Sequence, residues 1–306
     1  MKNKVAIVSL SDDKYFYLLE ELIGSIKKFK QSSEVDICIL DAGMSGEQID
    51  KIKKNIQQIK KAEWNIKVPE YKVKGKEWLK SQVSRAFLPN YFPNYDTYIW
   101  IDSDAWVNDW NAIELLIKGS QRKDLAITQT IAPGYRDVGK VNWIFGGLVL
   151  VKTQNYKHAI KSGFEKKIAR KIAFAPHLNI GVFSMCATSI GWSIWQKNLK
   201  KALSKGKIFG SEGIAINVSV YVDGLKTEFL PNCCNWIASH LLPKYDEKNL
   251  TYVEPNLPNN KIGILHLAGG IFNDQKKDIR NDKNAEIKVK TLTNTTLLKN
   301  LRFNID

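Results

Sequence analysis

Ten consecutive residues, Tyr98-Ile99-Trp100-Ile101-Asp102-Ser103-Asp104-Ala105-Trp106-Val107, restrict what this chain can fold into more than any other stretch of it. The β-branched and aromatic run reads as a buried strand. That strand ends in two carboxylates one residue apart, and two unpaired carboxylates are too costly to bury without a counter-charge. A divalent cation at the strand's carboxyl end supplies one, in the position where open α/β sheets bind ligands. Ligands that are all oxygen favour a hard ion, Mg²⁺ or Mn²⁺. The same residues also fit a plainer arrangement, a strand closing in an Asx turn with Asp104 capping the next segment.

The segments around this strand alternate in type. Lys4 to Leu10 reads as a buried strand, and Tyr15 to Phe29 carries apolar residues at helical spacing. Val35 to Leu40 is a second strand, and Ser45 is a good N-cap for a helix over Gln48 to Lys60. Trp64 to Val68 is the expected third strand, and Trp78 to Leu88 a helix carrying Arg85 and stopped by Pro89. Further on come a short helix at Ile113 to Ile117, a strand at Leu125 to Thr130, and a β-rich stretch from Val141 to Val151 that holds Gly146-Gly147. Lys152 to Lys171 then reads as a basic helix with Ile160, Phe164 and Ile168 on one face. Asn179 to Met185 is a strand in which Gly181 implies close backbone approach. Helices come next at Ile194 to Leu203 and Ile214 to Val222, and the strand Ile262 to Leu265 delivers His266 into Leu267-Ala268-Gly269-Gly270. Alternating strands and helices predict an α/β fold whose central sheet is mainly parallel, with helices on both faces. The expected division is one domain over 1–274, with an insertion at 140–175, and a basic helical tail over 275–306.

A chain of 306 residues with 44% hydrophobic content can bury a full core. Its net charge of +15 calls for an anionic partner: nucleotide phosphates, an anionic lipid surface or nucleic acid. The lysines are spread over many segments without an RNA-binding motif, which disfavours nucleic acid. No apolar run reaches the length of a membrane span, and the apolar run after Lys4 is too short for a secretory leader. The four cysteines include the vicinal pair Cys233-Cys234 and no C-x-x-C, so neither a disulfide framework nor a zinc knuckle is indicated; the pair with His240 is a weak metal candidate. A reducing cytosol is the expected location, with peripheral contact to the inner face of a membrane added by the basic segments.

An ordered set of motifs resembles glycosyltransferase family 8, the retaining transferases of the GT-A fold. Val8-Ser9-Leu10-Ser11-Asp12-Asp13-Lys14-Tyr15 resembles the first strand and nucleoside-binding loop of that family, and Leu40-Asp41-Ala42-Gly43-Met44-Ser45 the exit of its second strand. Ser84-Arg85 through Asp104 is similar to the helix that leads to the metal strand. Asn179-Ile180-Gly181-Val182, Glu212 to Asn217, Leu230-Pro231 with Asn235, and His266-Leu267-Ala268-Gly269 complete the series, which covers roughly residues 4 to 270. Two departures stand out. Where the family usually has Asp-Gln-Asp this chain has Glu212-Gly213-Ile214, and the family's lysine-bearing run after the terminal histidine is replaced by Gly270-Ile271-Phe272, with no lysine until Lys276.

The resemblance implies a GT-A nucleotide-diphospho-sugar transferase. It implies transfer of a hexose, with retention, from a UDP-sugar to a glycan or glycolipid acceptor, as bacterial relatives do for surface polysaccharides. Asp102, Asp104 and His266 would hold the metal, and an imidazole among the ligands shifts the preference from Mg²⁺ toward Mn²⁺. Asp12 and Tyr15 would bind the uracil, Arg85 the donor phosphate or sugar, and Ser103 and Gly269 would also contact the nucleotide sugar. Glu212 would sit beside the donor sugar as nucleophile or electrostatic stabiliser, and Asn179 with Gly181 would line the sugar or acceptor side. Two other readings stay open. A nucleotidyltransferase would need a Gly-rich basic loop after the first strand, where Ser11-Asp12-Asp13 is acidic. A noncatalytic nucleotide-sugar or glycan binder is suggested by Gly213 and by the missing lysine after the terminal histidine.

Overall fold

The structure, a computed structural model, describes residues 3–304 apart from 74, 136–138, 145, 147 and 275, and for 139–144 and 148–152 it describes the backbone. The central sheet grows from β1 (Val5–Ser11), every residue of which is buried. β2 (Val35–Asp41) runs parallel to it in register from Val5↔Val35 to Ser11↔Asp41. At the exit of β2 the Asp41 Oδ1 accepts from the backbone N–H of Gly43 and Met44 at 2.8 and 2.7 Å, an Asx turn that delivers Ser45 to cap the helix Gly46–Ile52. That helix is shorter than expected. β3 (Gln58–Lys61) lies where the sequence reading continues the helix, and it replaces the strand expected at Trp64 to Val68. Its Gln-Ile-Lys-Lys sequence is half exposed on the sheet edge, so it carries no apolar run to betray it.

β4 (Thr97–Ile101) is wholly buried and parallel to β1; β5 (Ala105–Val107) begins after three residues, Asp102, Ser103 and Asp104. β6 (Leu125–Gln129), the hairpin of β7 (Gly139–Ile144) and β8 (Leu148–Thr153), β9 (Leu178–Cys186) and β10 (Thr227–Leu230) come next. The seven-stranded sheet has the order β10-β6-β9-β4-β1-β2-β3. β9 is antiparallel to both its neighbours, and the other pairings are parallel. Alternation along β1 sends Ala6, Val8 and Leu10 to one face, with Trp192 and Trp195 of the helix Gly191–Lys205, and Val5 and Ile7 to the other, with Leu19 and Leu22 of the helix Phe16–Lys27. The expected α/β architecture with helices on both faces is what the chain builds.

The rest of the strands form satellites: β11 (Trp236–Ile237), β12 (Lys244–Asp246), β13 (Thr251–Val253), β14 (Ile264–His266), β15 (Ile287–Lys290) and β16 (Thr296–Lys299). β5 leaves the main sheet and pairs antiparallel with β14, which pairs parallel with β11. Beneath this small sheet Trp106, Trp236 and Leu265 form a core with Ile279, Ile287, Val289 and Leu301.

Three expectations are corrected here. The segment after residue 274 contains the β15–β16 hairpin rather than a helix or loose tail, because Ile287 and Val289 alternate with Lys288 and Lys290 and bury one face. Lys152 to Lys171 is not one helix: β8 runs to Thr153, and the helices Gln154–Lys161 and Lys166–Lys171 are separated at Gly163, whose φ of +77° ends the first. Pro89 does not stop a helix at Leu88; it sits in the first turn of a new one, Leu88–Tyr91, where its missing N–H is not needed. Of Gly146-Gly147, Gly147 lies outside the described residues.

Candidate metal centre and substrate pocket

The turn Asp102-Ser103-Asp104 lies where the chain passes from the main sheet to the small one. Both sides of it are pinned: the Asp102 N–H donates to the Gly181 carbonyl at 2.7 Å, and the Leu267 N–H to the Asp104 carbonyl at 2.8 Å. The β5–β14 register sets His266 opposite Ala105, so the imidazole is brought against the carboxylates. His266 Nε2 lies 3.2 Å from Asp104 Oδ1 and 3.9 Å from Asp102 Oδ2. One ligand atom from each of the three residues falls within 4.8 Å of the others. They line a cavity of about 930 Å³, whose wall also includes Asp12, Tyr15, Arg85, Ser103, Asn179, Glu212 and Gly269. Every site residue expected from the sequence is therefore gathered in one cavity.

A chain of amides aims the imidazole. Asn179 Oδ1 accepts from the Gly181 N–H at 2.9 Å and from Asn235 Nδ2 at 3.3 Å, which turns the Asn235 Oδ1 toward His266 Nδ1 at 2.9 Å. An amide oxygen only accepts, so Nδ1 carries the hydrogen and Nε2 faces the carboxylates. Two carboxylates and an imidazole so aimed are a donor set that fits Mn²⁺ or Mg²⁺. Gly181 is required by space: a Cβ there would collide with the His266 ring and lie 2.8 Å from Asp102 Oδ2. Gly269 is required by backbone, with φ of +78°.

The protein also supplies counter-charges, which an Asp-x-Asp pattern does not reveal. Arg85 is buried beneath Asp102, with Nη2 3.1 Å from its Oδ1, Nη1 donating to the Ile180 carbonyl at 3.1 Å, and the guanidinium 4.8 Å from the Trp100 ring. Trp100 Nε1 donates to the same Asp102 oxygen at 2.7 Å. Burial nevertheless holds the Asp102 carboxyl above its ordinary range, against Arg85. Burial acts upward on Asp104 too, but there His266 and Arg280 outweigh it and leave the carboxyl below its ordinary range. Arg280 Nη1 is 3.4 Å from Asp104 Oδ2 and its Nη2 is 2.8 Å from Asp278.

Glu212 belongs to the first turn of the helix Ser211–Tyr221 and is 6% exposed. The Gly210 N–H donates to its Oε2 at 3.1 Å, and the Gln82 carboxamide, turned so that its nitrogen faces the carboxylate, donates to both oxygens. Burial pushes the carboxyl up to about 7, with Arg85 opposing. On the same wall Asp12 Oδ1 accepts from the Tyr15 N–H at 3.1 Å, so Asp12 shapes the loop that presents the half-buried Tyr15 ring. Sequence reasoning missed Arg280, Gln82 and the orienting role of Asn235. Arg280 sits in a segment that reads as solvated tail, and Gln82 and Asn235 show their use only once distant strands meet.

An open α/β sheet with an Asp-x-Asp turn and a converging histidine at its carboxyl edge defines the GT-A class. Residues 6–118 match the family described as Glycosyl transferase family 8, which bears out the resemblance read from the motifs. Among solved structures, the bifunctional glycosyltransferase WbbM in its apo form superposes with a TM-score of 0.56 at 17% identity, over 92% of this chain and 49% of that one. The galactosyltransferase LgtC in complex with donor and acceptor sugar analogs superposes with a TM-score of 0.50 at 14% identity, over 86% of this chain and 87% of that one. The chain thus spans about half the length of the WbbM chain it matches. No curated protein matches it. At these identities the likeness establishes the GT-A fold.

Proposed function

We propose that this chain is a metal-dependent glycosyltransferase that takes a hexose from a UDP-activated donor and passes it, with retention, to a glycan or glycolipid. The observation that carries the reading is the convergence of Asp102, Asp104 and His266 within 4.8 Å on the wall of the cavity, with His266 aimed by Asn235. Asp102, Asp104 and His266 would hold Mn²⁺, or Mg²⁺. When bound, the cation neutralises charge developing on the departing diphosphate.

The protein's own groups supply the rest. Tyr15, on the loop fixed by Asp12, offers a ring for the base, and Ser103 and Gly269 bring short groups against the diphosphate. Arg85 holds Asp102 from below, which supports electrostatic backing of the metal carboxylate in place of a surface ion pair. Glu212 is the carboxylate nearest in character to a nucleophile or stabiliser for the sugar, and its deprotonation near neutral pH sets when it carries charge. Asn179, engaged by Gly181 and Asn235, serves by orienting His266.

The basic surface supports peripheral contact with an anionic membrane. Lys157, Lys161, Lys166, Lys167, Arg170 and Lys171 are all at the surface, with Ile160 and Phe174 exposed among them. Among the described residues no helix is long and apolar enough to cross a membrane. The test of the main reading is release of UDP from UDP-glucose and UDP-galactose. Mn²⁺-dependent release is expected. Tight UDP binding with no release from any donor would favour a noncatalytic binder, the reading that the bare Gly213 beside Glu212 keeps open.

A further inference from the structure

Besides His266 the cavity wall carries two histidines, His158 and His177, that no part of the metal centre uses. His177 stands two residues before Asn179 and four before Gly181, and all three line the cavity. Strand alternation puts such residues on one face, and the pairing with β6 extends past β9, since the Thr130 N–H donates to the His177 carbonyl at 2.8 Å. Gly181 borders Asp102 and His266. His177 lies four residues upstream of that point, across an irregular register between β6 and β9.

The tautomer of His177 is fixed by a buried amide. Asn155 is 3% exposed, and its Nδ2 donates to the carbonyls of Ile172 and Ala175 at 3.3 and 2.9 Å. Carbonyls only accept, so the amide cannot be turned, and its Oδ1 faces His177 Nδ1 at 2.8 Å. Nδ1 must carry the hydrogen, and Nε2 is left with its lone pair. Burial pushes the ring down to about 4, with His158 and His240 acting the same way, which favours the neutral imidazole near neutral pH. Nε2 is thus an acceptor and not a cation, unsuited to a phosphate.

The space in front of it is kept open by Gly213. A Cβ at that position would meet only the His177 ring, at 3.8 Å from Cε1 and 3.9 Å from Nε2. On the wall of the same cavity Trp78 and Phe209 meet edge to face at 6.0 Å and are 38% and 67% exposed, which offers apolar ring surface to a ligand there. A group that donates a hydrogen bond, carries no charge and has an apolar face beside it is a sugar hydroxyl on a pyranose ring.

Resting on the glycosyltransferase reading, we propose that His177 Nε2 accepts a hydrogen bond from a hydroxyl of the sugar bound beside Gly213, and that Asn155 is the positioning residue that fixes its tautomer. The experiment uses the full chain as wild type, His177→Phe, His177→Gln and Asn155→Leu. UDP binding with Mn²⁺ is titrated first. Hydrolysis of UDP-glucose and UDP-galactose is then measured, alone and with methyl glycosides added as acceptor mimics. His177→Phe keeps the ring and loses the acceptor, so UDP affinity is unchanged while one sugar-dependent readout falls about fivefold. A fall in hydrolysis assigns the hydroxyl to the donor sugar. Unchanged hydrolysis with loss of the response to methyl glycosides assigns it to the acceptor. His177→Gln, which keeps an acceptor, restores the lost readout. In Asn155→Leu the imidazole ¹⁵N shifts of His177 report loss of the single tautomer, which a merely structural residue would not cause. His177→Phe equal to wild type in both readouts overturns the proposal. Absence of Mn²⁺-dependent UDP binding by the wild type overturns the underlying reading instead.

Discussion

Glu212 is a carboxylate at the site whose titration burial moves toward neutrality. Its carboxyl rises from 4.5 to about 7 because burial penalises the charged form. Between those values the folded protein holds a proton that the unfolded chain has released, so the contribution to stability is present below 4.5 and is lost as pH rises through about 7. Glu212→Gln removes the buried charge and is expected to gain roughly 3 kcal/mol over wild type at pH 8 and little at pH 4, in the absence of ligand. Denaturant unfolding at the two pH values checks this; parallel stabilities would contradict it. Asn235 acts through His266. Asn235→Leu removes the acceptor for Nδ1–H and is expected to weaken Mn²⁺ binding about tenfold or more with the fold retained, read by metal titration; unaltered affinity would deny Asn235 that role. At this scale the sequence shows the ligands that come directly after an apolar run, Asp102 and Asp104, and hides those that gain a role only through partners far along the chain. His177 and Asn155 are of that second kind, since neither lies in a patterned segment that singles it out.

Elements are legible where one face of a segment is apolar and obscure where a segment is half exposed. β1, β2, β4 and β9 are nearly continuous buried runs, and the sequence places them to within about a residue or two. β3 has a single apolar residue, Ile59, and is lost against the lysines around it. The segment past residue 274 shows the same difficulty with a functional consequence. Its scattered apolar residues Ile279, Ile287, Val289 and Leu301 are buried beneath the small sheet, the Leu301 carbonyl accepts from Trp106 Nε1 at 2.8 Å, and Arg302 pairs with Glu21. Each such side chain contributes about 1.5–3 kcal/mol on burial, and together they rival the stability of an ordinary domain. Truncation after Asp274 is therefore expected to abolish cooperative unfolding and to strip Arg280 from Asp104. A truncated chain that unfolds at the parent's temperature would show that this segment is an appendage.

Taken whole, the molecule carries +15 net charge, and its surface basic residues include the cluster from Lys157 to Lys171. Replacing Lys166, Lys167, Arg170 and Lys171 with Ser is expected to remove about 4 kcal/mol of attraction to an anionic leaflet. Cosedimentation with anionic vesicles should then fall, and wild-type binding should weaken at high salt. Equal sedimentation of both proteins, or of the wild type with neutral vesicles, would leave the charge as a solubility feature. Everything proposed for catalysis depends on Asp102, Asp104 and His266 forming a metal site for a nucleotide sugar. The decisive measurement is calorimetry of UDP binding to the wild type and to Asp104→Asn, each with Mn²⁺ and with chelator. Binding by the wild type should require Mn²⁺ and should be lost in Asp104→Asn while the unfolding transition persists. UDP affinity in the wild type that is the same with Mn²⁺ and with chelator, or an Asp104→Asn protein that keeps the metal-dependent affinity, would contradict the assignment.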